Sequence, residues 1–229
     1  MTARTAPKFD ADGLYEIVAT YAGFGNHHTG TSVDTQTTAW LIDLLTNMGA
    51  SVTEDRYEFD RFVCTAKLLA DGDVVPSLPV FYSAAGDWQT RNVAVIDLDE
   101  AIVGNPRGLE PHLAAEPDAE ALVLAVHGPD DLVVQCNRVP TMPVSDGRPA
   151  VIVPGNWADR VRGSEAELAF DAEVETSSSA NVIASLGAAE APAVNITTPL
   201  TGWTPAGGER GTGLAVALAM TADLSIDHH

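Results

Sequence analysis

Residues 181–224, NVIASLGAAEAPAVNITTPLTGWTPAGGERGTGLAVALAMTADL, constrain the fold more than any other stretch of the chain. The runs NVIASL (181–186) and AVNIT (193–197) are short and β-prone, and Gly187 and the turn before Pro192 separate them. They read as two strands. A loop rich in glycine and proline follows. From Gly211 onward the pattern becomes a long Ala, Leu and Met run, which predicts a helix over 213–224. A strand that passes through a loop into a helix is where open α/β sheets build their sites, at the carboxyl ends of the strands. This loop holds Thr197, Thr198, Thr201, Trp203, Glu209, Arg210 and Thr212. An acid, a base, an indole and several hydroxyls mark it as the candidate site. A solvated connection is the plainer alternative.

The stretch resembles the first half of the co-catalytic zinc exopeptidases, in particular the bacterial leucyl aminopeptidase and glutamate carboxypeptidase-like family. In that family a strand of the NVIA type leads to a second strand ending in His-x-Asp. A loop of the pattern Gly-Ala-x-Asp-Asn-x-Ser-Gly follows, and then a helix. Here NVIASLG matches the first strand. Thr198-Pro199-Leu200 stands where His-x-Asp would be, and residues 207–213, GGERGTG, stand at the second pattern. Glu209 falls on the family's bridging aspartate and Arg210 on its asparagine. The architecture agrees and the ligands do not.

The resemblance implies a partial three-layer α/β/α exopeptidase-like domain. It also implies two zinc ions that polarise a peptide carbonyl and supply hydroxide, with a glutamate as general base. Zinc takes His nitrogen, Cys sulfur or carboxylate oxygen, so Thr198 and Leu200 are not substitutes. Glu209 is then the one candidate metal ligand, and one carboxylate cannot make a site. No catalytic residue and no cofactor are assigned to this chain. The expected ligand cleft is lined by Thr198, Thr201, Trp203, Glu209 and Arg210, with Glu209 and Arg210 either a ligand clamp or a salt bridge that fixes the loop. The glutamate base and the remaining ligands of the family lie on strands beyond this helix, whereas here the sequence reads SIDHH to its end. The expectation is a member or fragment of a zinc-dependent exopeptidase-like hydrolase that is not competent alone. The alternative is a non-catalytic binding or assembly module of the same fold.

The N-terminal part supports the resemblance. FDADGLYEIVATYAG (9–23) places Leu14, Ile17, Val18 and Tyr21 on one helical face. A turn-rich segment with His27 and His28 follows. Adjacent histidines can bind a metal, but their side chains point apart. Thr31 and Ser32 are helix-start residues, with Asp34 in the first turn. Trp40, Leu41, Leu44, Leu45 and Met48 then recur at helical spacing, and Gly49 is the stop. SVTEDRYEF (51–59) alternates and predicts an exposed or edge strand.

Residues 61–177 change character. VCTAKLLA, NVAVIDL, ALVLAVH, LVVQCN and AVIVP are strand candidates, separated by turns such as Asp71-Gly72, Gly128-Pro129 and Asp146-Gly147. A helix is expected over Asn156–Arg162. The segment is similar in order and insertion point to the protease-associated domain that many zinc exopeptidases carry. The expected organisation is therefore residues 1–60 plus 178–229 as a discontinuous exopeptidase-like domain, with 61–177 as a protease-associated-like insert. TSSSA (176–180) reads as a linker between them. Asp97, Asp99 and Glu100 suggest either a cation site or a solvated strand end.

Charge narrows the partners. The net charge of −20 repels nucleic acid phosphates and anionic membranes, so neither is expected. The expected partner is a peptide or small amide. Cys64 and Cys136 form no paired motif. The N-terminus lacks the apolar core of a signal peptide and no run is long and apolar enough to span a bilayer, so a cytoplasmic location is the default. The helix at 213–224 is apolar nearly all round, a property of helices covered on most sides. A second copy of the chain meeting it would make a homo-dimer.

Overall fold

A computed structural model describes residues 9–99, 116–128, 147–187 and 193–226. Among these, the chain is a mixed α/β protein with two four-stranded sheets and four α-helices. It divides into two compact units, residues 1–59 with 176–229, and residues 60–175. The expected strand LVVQCN, Glu100, Cys136, Asp146, His228 and His229 lie outside the described residues.

The first unit begins with helix α1 (Ala11–Gly23), capped by Asp10, whose carboxylate accepts from the Gly13 amide. Helix α2 (Ser32–Asn47) starts where Thr31 accepts from the Asp34 amide, which satisfies one of the orphan donors of a helix start. It stops before Gly49, whose φ of +87° terminates the helix at low cost. Strand β1 (Ser51–Ala70) then runs for 20 residues, as does a later strand, β8 (Ala166–Ser185). They are neighbours in one sheet, and the division between the units falls along both of them. A π-helical turn (Gly207–Gly211) leads into helix α4 (Thr212–Ile226). The core of this unit joins Ile17 and Tyr21 of α1, Leu41 and Leu45 of α2, and Leu214 and Leu218 of α4. These are the apolar positions that helical spacing puts on one face of each element.

Gly211 permits one close approach in this core. A methyl group there would lie 3.1 Å from the Tyr21 ring and 3.4 Å from Val18. The glycines of the turn thus let its backbone sit directly on α1.

The second unit contains β2 (Asp73–Val75), β3 (Leu78–Pro79), β4 (Gly86–Thr90), β5 (Val93–Asp99), β6 (Ala121–His127) and β7 (Ala150–Pro154). It also contains helix α3 (Ala158–Arg162), entered through a 3₁₀ turn (Gly155–Trp157). One sheet has the order β2-β1-β8-β4 and the other β3-β7-β6-β5. β5, β6 and β7 are parallel, and β3 joins β7 antiparallel. Parallel strands covered on both faces read as continuous apolar runs, and ALVLAV of β6 and AVIVP of β7 are buried throughout. Val123, Ala125, Val151 and Val153 pack with Leu68, Leu168 and Phe170 of the other sheet, while Leu122, Leu124 and Ile152 form a second cluster with Val80, Ile96 and Leu98. Each such Val, Leu, Ile or Phe side chain contributes about 1.5–3 kcal/mol on burial.

Two expectations are corrected. TSSSA is not a linker: residues 176–180 lie inside β8, where Ser177 and Ser179 use their hydroxyls to bond Gly30 and Asp34. NVIASL is the end of that same strand. AVNIT, read as a second strand, has no strand assignment. A strand needs a ladder partner, and none among the described residues pairs with 193–197. Val194 of this segment is 70% exposed. No described helix is long and apolar enough to cross a membrane.

Candidate functional site

The first unit contains a cavity of about 500 Å³. Residues 179–184 of β8, residues 196–201 and Tyr57 of β1 line it. Leu41 and Leu45 of α2 and Leu214 and Leu218 of α4 supply its apolar surface. Asp34, Ser179, Thr197, Thr198 and Thr201 supply its polar groups.

Asp34 is 3% exposed and Ser179 8%. The Asp34 Oδ2 atom accepts from the Gly30 amide at 2.7 Å and from the Ser179 hydroxyl at 2.7 Å. A buried carboxylate is stable only when such donors replace its water. Sequence reasoning placed Asp34 as a first-turn acid for α2 and missed its link to β8. A serine inside an alternating strand opposite a helix start was the only signal available.

The loop at 200–204 is pinned to the turn that follows α1. The Tyr21 hydroxyl donates to the Leu200 carbonyl at 2.9 Å, and the Gly202 amide donates to the His27 carbonyl at 2.8 Å. The His28 ring Nε2 lies 3.1 Å from the Trp203 carbonyl oxygen, and the two rings meet edge-on at 4.8 Å between centroids. His27 is fully buried and stacks on Tyr21 at 3.8 Å. Its Nε2 contacts the Tyr21 carbonyl at 2.9 Å and its Nδ1 contacts the Thr37 hydroxyl at 3.1 Å. Both ring nitrogens of the buried His27 thus face protein groups. Burial lowers its pKa, an effect the Tyr21 carbonyl and then the Asp34 charge oppose. Burial also pushes the Tyr21 hydroxyl up to about 12, so it stays a proton donor to Leu200.

The residues expected to form one ligand cleft fall in two places. Thr198 and Thr201 line the cavity. Trp203, Glu209 and Arg210 do not. Trp203 is beside His28, and the Arg210 side chain runs along Gly202, with its Cγ 3.6 Å from where a Gly202 methyl would be. Arg210 Nη2 and Glu209 Oε1 form an ion pair at 3.0 Å. Glu209 is 63% exposed, and a pair at that exposure is worth about 0–1 kcal/mol. Arg210 Nε is buried with no hydrogen-bond partner among the described residues.

A zinc pair does not fit these residues. Thr198 presents a hydroxyl, Leu200 packs against the apolar core, and the Glu209 carboxylate is held by Arg210. Among the described residues no three His, Cys, Asp or Glu side chains converge as a metal site would require. In the second unit, Asp97 is occupied: Oδ1 accepts from His127 at 2.7 Å and Oδ2 pairs with Arg162. The His127 bond, aided by Arg162, holds its carboxyl below the usual range.

Solved structures share this arrangement of elements. A zinc aminopeptidase from Bacillus subtilis superposes with a TM-score of 0.68 over 97% of this chain and 59% of its own, at 15% identity. The fold is a partial zinc-aminopeptidase fold. The peptidase M28 precursor from Shewanella amazonensis SB2B gives 0.57 at 19% identity, covering 91% of this chain and 59% of that one. The aminopeptidase from Aneurinibacillus sp. strain AM-1 gives 0.52 at 16% identity, covering 95% and 60%. The chain thus spans about three-fifths of the aminopeptidases it superposes on. No protein-family model and no curated protein matches the sequence.

Proposed function

We propose that this chain is a zinc-exopeptidase-like protein of the bacterial leucyl aminopeptidase and glutamate carboxypeptidase-like type, and that by itself it does not hydrolyse peptides. The residues 1–60 and 178–229 are then its exopeptidase-like domain, and 61–177 its protease-associated-like insert. The observation that carries the reading is the pair Thr198 and Leu200, which stands in place of His-x-Asp on an aminopeptidase-like fold. A hydroxyl and an isobutyl group cannot hold zinc, so hydroxide generation and carbonyl polarisation have no seat there. Peptides or small amides are the ligand class, because the similar structures are named aminopeptidases. The buried Nε of Arg210 supports a ligand-facing role for the loop, since a buried donor without a partner carries a desolvation cost that a bound acceptor removes. A non-catalytic binding module of the same fold is the second reading, and the cavity of about 500 Å³ favours it.

The test is hydrolysis of leucine para-nitroanilide and of a leucyl tripeptide, each with added zinc. The expected rate is that of buffer containing the same zinc. Protein-dependent, zinc-dependent turnover would overturn the proposal.

A further inference from the structure

We propose that His27 is a buried proton switch. In the neutral ring Nδ1 accepts the Thr37 hydroxyl; when the ring takes up a proton, that hydroxyl turns to the Val33 carbonyl, and the ring stays in place beside the 200–204 loop. This goes beyond the reading above, because it concerns proton uptake and holds whether or not the chain hydrolyses anything.

The proton count is the first observation. His27 is fully buried and Thr37 is 1% exposed. The His27 Nε2 atom lies 2.9 Å from the Tyr21 carbonyl oxygen, which can only accept, so Nε2 carries a proton. The Thr37 hydroxyl lies 3.1 Å from His27 Nδ1 and 2.8 Å from the Val33 carbonyl oxygen. With a neutral ring, its single proton faces two acceptors, and one of them goes without. In the charged ring Nδ1 becomes a donor and the conflict ends. Nδ1 then donates to the Thr37 oxygen, and the Thr37 hydroxyl donates to Val33. Charging the ring thus adds a hydrogen bond rather than breaking one.

The surroundings of the ring are the second. Tyr21 of α1 stacks on it with 3.8 Å between centroids and 6° between planes, and an aromatic face attracts a cation. α2 presents the buried Asp34 carboxylate, whose charge favours the imidazolium. The π-helical turn brings the Glu209–Arg210 pair, whose two charges act on the Tyr21 hydroxyl in opposite senses. The 200–204 loop presents no ionisable side chain. His28, next in the chain, turns its ring to Trp203. Burial opposes the charge. The acceptor, the carboxylate and the aromatic face together keep a charged ring inside rather than expelling it.

Position is the third. The His27 carbonyl accepts from the Gly202 amide at 2.8 Å, and the Tyr21 hydroxyl donates to the Leu200 carbonyl at 2.9 Å. The ring's own backbone and its stacking partner therefore both hold the 200–204 loop. Leu200 and Thr201 of that loop also line the cavity. Every hydrogen bond of the switch lies within residues 21–37 and 200–204. A proton on His27 thus places a positive charge next to the loop without opening it.

The experiment is nitrogen NMR of the full chain labelled at its histidine rings, with His27→Phe assigning the His27 signals. The wild type, Thr37→Val and Thr37→Ser are each followed through an acid titration. At about pH 8, where histidine is neutral, the wild-type ring is expected to carry its proton on Nε2. Thr37→Val removes two hydrogen bonds from the charged form and one from the neutral form. The His27 midpoint is therefore expected to fall by about half a unit or more in Thr37→Val and to stay near wild type in Thr37→Ser. The Gly202 amide is expected to remain protected from exchange below the wild-type midpoint. A neutral ring protonated on Nδ1, a midpoint unmoved or raised in Thr37→Val, or loss of Gly202 protection as the ring titrates overturns the proposal. So does unfolding before the ring titrates. If Thr37→Val does not fold, the wild-type tautomer and the Gly202 protection decide alone.

Discussion

The Ser179 hydroxyl donates to the Asp34 carboxylate at 2.7 Å inside the first unit and ties β8 to the start of α2. The same carboxylate oxygen takes the Gly30 amide, and Ser177 donates to the Gly30 carbonyl at 2.9 Å. Two serines of one strand thus hold one helix start. Asp34→Ala removes the acceptor of the buried Ser179 hydroxyl and of the Gly30 amide bond to Oδ2. The expected cost is about 1–3 kcal/mol, and Ser179→Ala is expected to cost about 1 kcal/mol. Urea unfolding should show a lower midpoint with an unchanged slope. An unaltered midpoint in Asp34→Ala would mean that water replaces the carboxylate and that the contact does not order the helix start.

Stability should depend on pH through His27. Its pKa in the folded chain is lowered from 6.5, chiefly by burial. The unfolded chain therefore takes up a proton on this ring at a higher pH than the folded chain does. Below about 6.5 the unfolded state binds more protons, so stability falls as pH falls and levels off beneath the folded pKa. Asp97 adds a separate loss at lower pH, because its folded pKa is depressed and its stabilisation disappears as the carboxylate is protonated. His27→Phe keeps a ring against Tyr21 but cannot be protonated. Its stability should be lower at pH 8, and its dependence between pH 6.5 and pH 5 should flatten. Parallel curves for the two proteins would assign the dependence to other groups.

α4 presents an uncovered apolar stripe. Val216, Met220 and Leu224 recur every fourth residue and are 53%, 50% and 40% exposed, while Leu214 and Leu218 are buried on the other side. Self-association through this stripe is opposed by the net charge of −20, so it should strengthen as salt screens that charge. Sedimentation velocity is expected to show a monomer at low ionic strength and a dimer at high ionic strength, with Met220→Glu monomeric in both. A monomer in all conditions would show that no second copy uses this face.

Much of the fold was legible in the sequence because local physics decides it. Thr31 and Gly49 bracket α2 through a cap and a left-handed stop, both properties of single residues. AVIVP and ALVLAV are apolar without alternation, which only strands buried on both faces sustain. AVNIT has the same local signal and forms no strand, since a ladder depends on a partner that propensity cannot supply. TSSSA misled for the opposite reason: its small polar residues resemble a linker, but their hydroxyls serve Gly30 and Asp34, far away in sequence. For the candidate site, the sequence names residues but not their placement. Thr198 and Thr201 reach the cavity, whereas Glu209 and Arg210 turn to each other in a π-helical turn whose path depends on packing against α1.

We propose that the described residues of this aminopeptidase-like fold lack the side chains to hold zinc. The most direct measurement is the zinc content of the purified chain after exhaustive dialysis against buffer without chelator, by elemental analysis, for the wild type and Glu209→Ala. Neither protein is expected to retain zinc, and the two are not expected to differ. Near-stoichiometric zinc in the wild type, lost in Glu209→Ala, would contradict it.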